Sequence, residues 1–344
     1  MVMTSALARP AAMPLHPRPR LGFAGLGWTG RKRLEAITGS GLCDVVAVAD
    51  ASPDAALEAA RTARGARVAR SFDELLRDDL DGVVIATTNA LSAAQAQSAL
   101  ARGLAVFCQM PLGRDRREVA AVVDAAHKAD RLLMTDLSFR CTSAGQALAE
   151  VVRSGELGEI FAVNLVFHSA HGPDKPWFYD RTLSGGGCLL DLGTHLLDLA
   201  LFCLGFPRVD LVRGRLSAGG RPLAAAPEAI EDFASAQLTV ASGTVIQLAC
   251  SWHLSAGADA VVEAAFYGTD GGVVLRNVNG SLDDYLCERL MGTQRETLCA
   301  PPDPWMGRAA VDWAERLAHG DRFDPDALHL VQVASVVDRI YGSA

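Results

Sequence analysis

The chain has 344 residues, half of them hydrophobic and 21% charged, with a formal net charge of −8. That length exceeds what one hydrophobic core usually serves, so two domains are expected, and the acidic balance disfavours nucleic acid or an anionic membrane as a partner. Small molecules are the ligands that suit such a chain.

Residues 1–19 contain Pro10, Pro14, Pro17 and Pro19 but no apolar run of signal-peptide length, which predicts a disordered tail on a cytoplasmic protein. The eight cysteines are scattered without a C-x-x-C pair and read as reduced core residues. No Cys or His cluster has metal-ligand spacing, so no metal is expected. No run reaches 18 uninterrupted apolar residues, since even the stretch 195–205 carries Asp198, and no membrane span is expected.

From Leu21 onward, short apolar runs at 21–25, 44–49, 83–87 and 104–108 alternate with helical stretches at 29–38, 53–63, 91–102 and 114–128. This βαβ series predicts a doubly wound parallel sheet, an α/β Rossmann domain over residues 20–138. After Arg140 the texture changes. A helix at 143–153 precedes alternating strands at 233–240 and 244–252 around Ser242-Gly243, which is hairpin grammar. A strand at 260–267 turns into 273–276, and helices at 307–319 and 325–341 finish the chain. Residues 139–344 are therefore expected to form an α+β domain with a largely antiparallel open sheet. Its last helix is a candidate to pack back on the first domain.

Gly25-Leu26-Gly27-Trp28-Thr29-Gly30 lies directly after the first strand and opens the first helix. Gly25 permits the tight turn, Gly27 lets backbone approach a pyrophosphate, and Gly30 lets helix pack on strand. Asp50, twenty residues past Gly30 at the end of the second strand, is placed to accept hydrogen bonds from the adenosine ribose. Its charge would repel a 2′-phosphate, so NAD is favoured over NADP. Thr87-Thr88-Asn89 and Gln109-Met110-Pro111 end later strands and should line the same crevice.

With these motifs, the chain resembles the Gfo/Idh/MocA family of sugar and cyclitol oxidoreductases from Leu21 to its C-terminus. The segments that carry the resemblance are the glycine fingerprint, 81–89, 106–112, Phe139-Arg140 and Ser184-Gly-Gly-Gly-Cys-Leu-Leu-Asp-Leu-Gly-Thr-His-Leu-Leu-Asp198. The resemblance implies a catalytic set of a lysine from E-K-P and the Asp and His of D-x-x-x-H. Here the last two are Asp191 and His195. Helical spacing of four would set them on one face beside a glycine run that lets substrate approach, with His195 as general base near its ordinary pKa and Asp191 orienting it or a substrate hydroxyl. Where E-K-P is expected the chain has Gln109-Met110-Pro111. Gln109 keeps hydrogen-bonding ability toward the nicotinamide ribose, but Met110 has no proton to exchange. Lys175, in a proline-stiffened loop with Trp177 and Tyr179, is a candidate for the missing charge. Trp177 offers a face for a sugar ring, Tyr179 a proton, and Arg140 a substrate contact.

The expected activity is NAD-dependent oxidation or reduction of a secondary hydroxyl or ketone of a sugar, aminosugar or cyclitol by a homo-oligomer. The alternatives are an NAD-retaining hydrolase, lyase or epimerase working by transient oxidation, and a catalytically weakened NAD-binding partner protein.

Overall fold

The computed structural model describes residues 18–225 and 228–343. Of the tail expected at 1–19, residues 1–17 lie outside the described residues. Apolar runs too short for helices build the first sheet: β1 (Arg20–Ala24), β2 (Asp44–Ala49), β3 (Arg67–Ala69), β4 (Gly82–Ile85), β5 (Ala105–Cys108) and β6 (Leu133–Thr135). They run parallel in the order β3-β2-β1-β4-β5-β6. The central strands are buried on both faces because α1 (Trp28–Ser40), α2 (Pro53–Thr62), α3 (Phe72–Leu75), α4 (Asn89–Leu100) and α5 (Arg116–Ala129) connect them. Strands β3 and β6 were not expected. Each is three residues long, too short to show a period.

Beyond the first sheet, α6 (Ser143–Ser154) and β7 (Ile160–Ser169) lead to α7 (Arg181–Ser184), a π turn at Leu189–Gly193 and α8 (Thr194–Cys203). The strands β8 (Val209–Ala218), β9 (Arg221–Pro222), β10 (Phe233–Val240), β11 (Val245–Ser251), β12 (Ala260–Gly268), β13 (Gly272–Asn277), β14 (Tyr285–Met291) and β15 (Gln294–Cys299) complete a nine-stranded sheet with β7. Its neighbours pair antiparallel except β7 and β11, which run parallel at its centre. The hairpin between β10 and β11 forms around Ser242-Gly243 as expected, with Gly243 at φ +90°.

Leu196, Leu197, Leu199 and Leu201 of α8 are buried in one core with Val163, Leu165 and Leu248 from the sheet. The run Arg181–Cys203 is long and apolar enough to cross a membrane by length and composition alone, yet 78% of its apolar window is buried inside the protein. Such a helix is explained by the core it fills. Two further helices return to the first sheet. Trp313 of α9 (Arg308–Ala318) packs 5.9 Å from Phe107, and α10 (Leu328–Ser343) lies against both α5 and β8.

Candidate functional site

The carboxyl ends of the parallel strands form the first half of the site. Gly25 stands at φ +85°, and a Cβ there would lie 2.2 Å from the Ala86 carbonyl oxygen. At Gly30 a Cβ would lie 2.0 Å from the Gly25 oxygen, so helix and strand meet without a side chain between them. Gly27 differs, because its Cβ would meet nothing within 4 Å. No side chain caps the helix it opens, so the first-turn N–H groups face that open space, beside the exposed Trp28 and the half-buried Thr29. Asp50 accepts from the backbone N–H of Leu26 (2.5 Å) and of Ser52 (2.7 Å), which ties the fingerprint turn to the end of β2. A carboxylate has about four lone-pair sites, so ribose hydroxyls still find acceptors there. Gln109 carries a buried Oε1 with no partner. An orphaned acceptor and an uncapped helix start, both at the carboxyl ends of the parallel strands, fit a dinucleotide whose ribose supplies hydroxyl donors.

Two strand-end residues are otherwise engaged. Thr87 Oγ1 donates to Gln95 Oε1 at 2.6 Å. Asn89 does not present its amide to the crevice, because Nδ2 donates to the Ser184 carbonyl (2.8 Å) and the side chain is buried. It links α4 to the glycine run instead.

The glycine run itself is demanded by the protein's own packing rather than by substrate approach. A Cβ at Gly185 would sit 2.5 Å from Arg114 Cβ, one at Gly186 2.0 Å from the Tyr341 hydroxyl, and one at Gly187 2.0 Å from the Glu231 carbonyl oxygen. Glu231 is buried and its Oε1 accepts from Gly187 N–H (2.8 Å), Leu189 N–H (3.2 Å) and the Tyr341 hydroxyl (2.7 Å). Burial pushes the Glu231 carboxyl up. This carboxylate anchors the start of the turn that carries Asp191.

That turn is π-helical, not α-helical, and widens the step between Asp191 and His195. No hydrogen bond joins the two side chains among the described residues. Asp191 Oδ2 accepts instead from the indole N–H of Trp252 at 3.1 Å. Burial pushes its carboxyl up to about 6, against the pull of the Trp252 bond. His195 faces Phe139, with ring centroids 5.8 Å apart, and feels the buried pair of Arg33 and Asp136 at the end of β6. Its Nδ1 is buried without a partner. Desolvation pushes the imidazole down to about 4, not near its ordinary value, so at neutral pH it is uncharged and one ring nitrogen is an acceptor.

The remaining expected residues divide. The Tyr179 ring lies 5.8 Å from that of Trp252, and burial and the Asp191 charge, burial more, both raise its phenol. Trp177 stacks on Phe178 at 3.8 Å, half-buried, and Phe178 meets Trp252 edge-on. Lys175 is exposed and pairs with Asp174 at 3.2 Å, with no bond to Asp191 or His195 among the described residues. Arg140 is not free for substrate. Its guanidinium grips Asp198 through Nε (2.6 Å) and Nη2 and lies over Phe202, which neutralises a carboxylate buried in α8. Met110 is buried, 8% exposed, and lines a cavity of about 40 Å³ with Leu190, Thr194, Val333 and Val337, between the two sheets' helices. Sequence reasoning missed Trp252, His253 and Glu231. The one available signal was an aromatic pair closing a strand, Trp252-His253.

Residues 20–137 match the oxidoreductase family with an NAD-binding Rossmann fold, and residues 146–274 match the GFO/IDH/MocA C-terminal domain. A putative UDP-kanosamine synthase oxidoreductase subunit of Amycolatopsis mediterranei is 30% identical over 94% of this chain and 96% of its own. The 1,5-anhydro-D-fructose reductase of Ensifer adhaerens is 30% identical over 60% of this chain, which spans 61% of that relative's length. The inositol 2-dehydrogenase of Rhizobium meliloti is 28% identical over 75% of this chain and 76% of its own. Among solved structures, GenD2 from gentamicin A biosynthesis in complex with NAD superposes with a TM-score of 0.80 at 24% identity, covering 97% of this chain and 96% of that one. KijD10, a 3-ketoreductase from Actinomadura kijaniata in complex with NADP and TDP-benzene, superposes with a TM-score of 0.82 at 21% identity, covering 95% and 98%. At these identities the two structures establish the shared fold. Sequence and fold together show that the chain is an NAD-binding oxidoreductase and belongs to the Gfo/Idh/MocA family.

Proposed function

We propose that the protein oxidises or reduces a secondary hydroxyl or ketone of a sugar, aminosugar or cyclitol, with NAD as its cofactor. What most supports this reading is a half-buried, uncharged His195 whose Nδ1 is unpartnered, beside the carboxyl end of a sheet whose fingerprint turn is open at Gly27. The relatives include a sugar reductase and an inositol dehydrogenase, which sets the substrate class.

The nicotinamide supplies or accepts the hydride when it is bound. Gln109 Oε1 would accept a hydrogen bond from a ribose hydroxyl, and Asp50 would accept from those of the adenosine half. His195 takes the hydroxyl proton as hydride leaves the same carbon and returns it in the reverse direction. Asp191, largely ionised at neutral pH, accepts a hydrogen bond from a neighbouring hydroxyl and fixes the ring. Trp252 and Tyr179 border that position with aromatic faces.

The experiment is incubation of the purified protein and NAD with myo-inositol, D-glucose, D-glucosamine and methyl α-D-glucoside, following absorbance at about 340 nm and analysing products by mass spectrometry. NADH formation with a keto product supports the reading. Epimerised or cleaved product without NADH replaces it with transient, redox-neutral oxidation. Cofactor binding with no product from any polyol contradicts both.

A further inference from the structure

A hydride-transfer site needs a hydrogen-bond donor at the oxygen that gains negative charge, because a preorganised donor is among the largest single contributions to such catalysis. Asp191 is an acceptor, and His195 becomes a donor to the reacting oxygen only after it has taken the hydroxyl proton. Met110 has nothing to donate, and Lys175 pairs with Asp174 at 3.2 Å on the surface. The Tyr179 ring lies 5.8 Å from that of Trp252, whose indole N–H bonds Asp191, and the Asp191 charge acts on its phenol.

That phenol is held by two separate pieces of chain. His253 Nε2 lies 3.1 Å from its oxygen, and the Pro173 carbonyl lies 3.1 Å away on another side. Gly172 closes the third side, where a Cβ would fall 2.3 Å from both the phenol oxygen and His253 Nε2. His253 follows β11 at φ +58°, a left-handed conformation uncommon for a non-glycine residue and one that a site retains when the side chain is needed there. With its Nε2 protonated, His253 donates to the phenol oxygen. The phenol hydrogen is then directed away from the imidazole, toward Pro173 or an incoming oxygen.

We infer that Tyr179 donates the hydrogen bond that stabilises the substrate oxygen during hydride transfer, and that His253 is the positioning residue that aims it. The inference rests on the oxidoreductase reading above. Burial and the negative charge of Asp191 keep the phenol protonated, as a donor must be.

The test compares wild type, Tyr179→Phe and His253→Gly, using the polyol from the panel above that wild type turns over. Tyr179→Phe is expected to lower kcat by about 10²- to 10³-fold with NADH affinity unchanged. His253→Gly, which also relieves the positive φ, is expected to lower kcat by about tenfold and to recover it when imidazole is added. In NAD-loaded protein, independent of turnover, the ¹⁵N imidazole signal of His253 should shift on Tyr179→Phe. An unchanged kcat in Tyr179→Phe, a His253→Gly defect that imidazole leaves in place, or an unmoved His253 signal each overturns the inference while leaving the oxidoreductase reading intact. Absence of turnover by wild type, with NADH bound, overturns both.

Discussion

The indole nitrogen of Trp252 lies 3.1 Å from Oδ2 of Asp191, joining the end of β11 to the π turn before α8. The bond favours the charged carboxylate against the burial that pushes it up to about 6. Trp252→Phe removes that support while keeping an apolar ring. The acid limb of the pH profile of kcat/KM should then move up by about one unit, and the rate at pH 6 should fall several-fold. A limb that stays in place would separate Asp191 from the kinetics.

Asp191 and His195 give opposite contributions to stability as pH changes. Asp191 is raised from 3.8 to about 6, so its contribution is full below about pH 4 and is lost as pH rises through about 6. His195 is lowered from 6.5 to about 4, so its contribution is full above pH 6.5 and is lost as pH falls through about 4. Asp191→Asn should therefore gain stability relative to wild type at pH 7 and not at pH 4. His195→Gln should lose less stability than wild type between pH 7 and 4, by an amount on the order of 3 kcal/mol. Urea melts at pH 7, 5.5 and 4 measure both.

The hydroxyl of Tyr341 stands where a Cβ on Gly186 would be, 2.0 Å away. Gly186→Ala should destabilise the protein by about 2–3 kcal/mol, typical of overpacking a fixed site. Tyr341→Phe removes the clashing oxygen but also a donor to Glu231. The double variant should be more stable than the sum of the two single effects implies, with a coupling of about 1 kcal/mol or more. Additive effects in denaturant melts would mean that the helix end moves aside.

Met110→Lys would place an ammonium against Leu190, Val333 and Val337 in a cavity whose lining carboxylate from α8, Asp198, is already paired with Arg140. The expected result is a loss of about 1–3 kcal/mol and no rise in turnover, since burial favours the neutral amine and the side chain lies among interdomain helices. Thermal melts and steady-state rates compared with wild type decide this. Higher turnover would show that position 110 reaches the substrate.

The cofactor turn was legible because its requirements are local: Gly25 and Gly30 are dictated by atoms within one strand-turn-helix unit and the next strand. The catalytic turn was legible only as a motif. The glycines were visible, but their reason lies in Tyr341 and Glu231, which no spacing connects to them. Trp252 is 61 residues from Asp191, and parallel pairing of β11 with β7 brings it there. Arg140 resembled a substrate contact until the fold placed Asp198 beneath it. A π turn and an α turn present the same apolar residues, so the partner that Asp191 takes in place of His195, Trp252, was hidden as well.

If His195 exchanges the substrate proton in an NAD-binding crevice that holds together without it, His195→Ala should leave NADH affinity unchanged by fluorescence titration and lower kcat by about 10²- to 10⁴-fold with the polyol that wild type oxidises. A variant that binds NADH and turns over at the wild-type rate would contradict it.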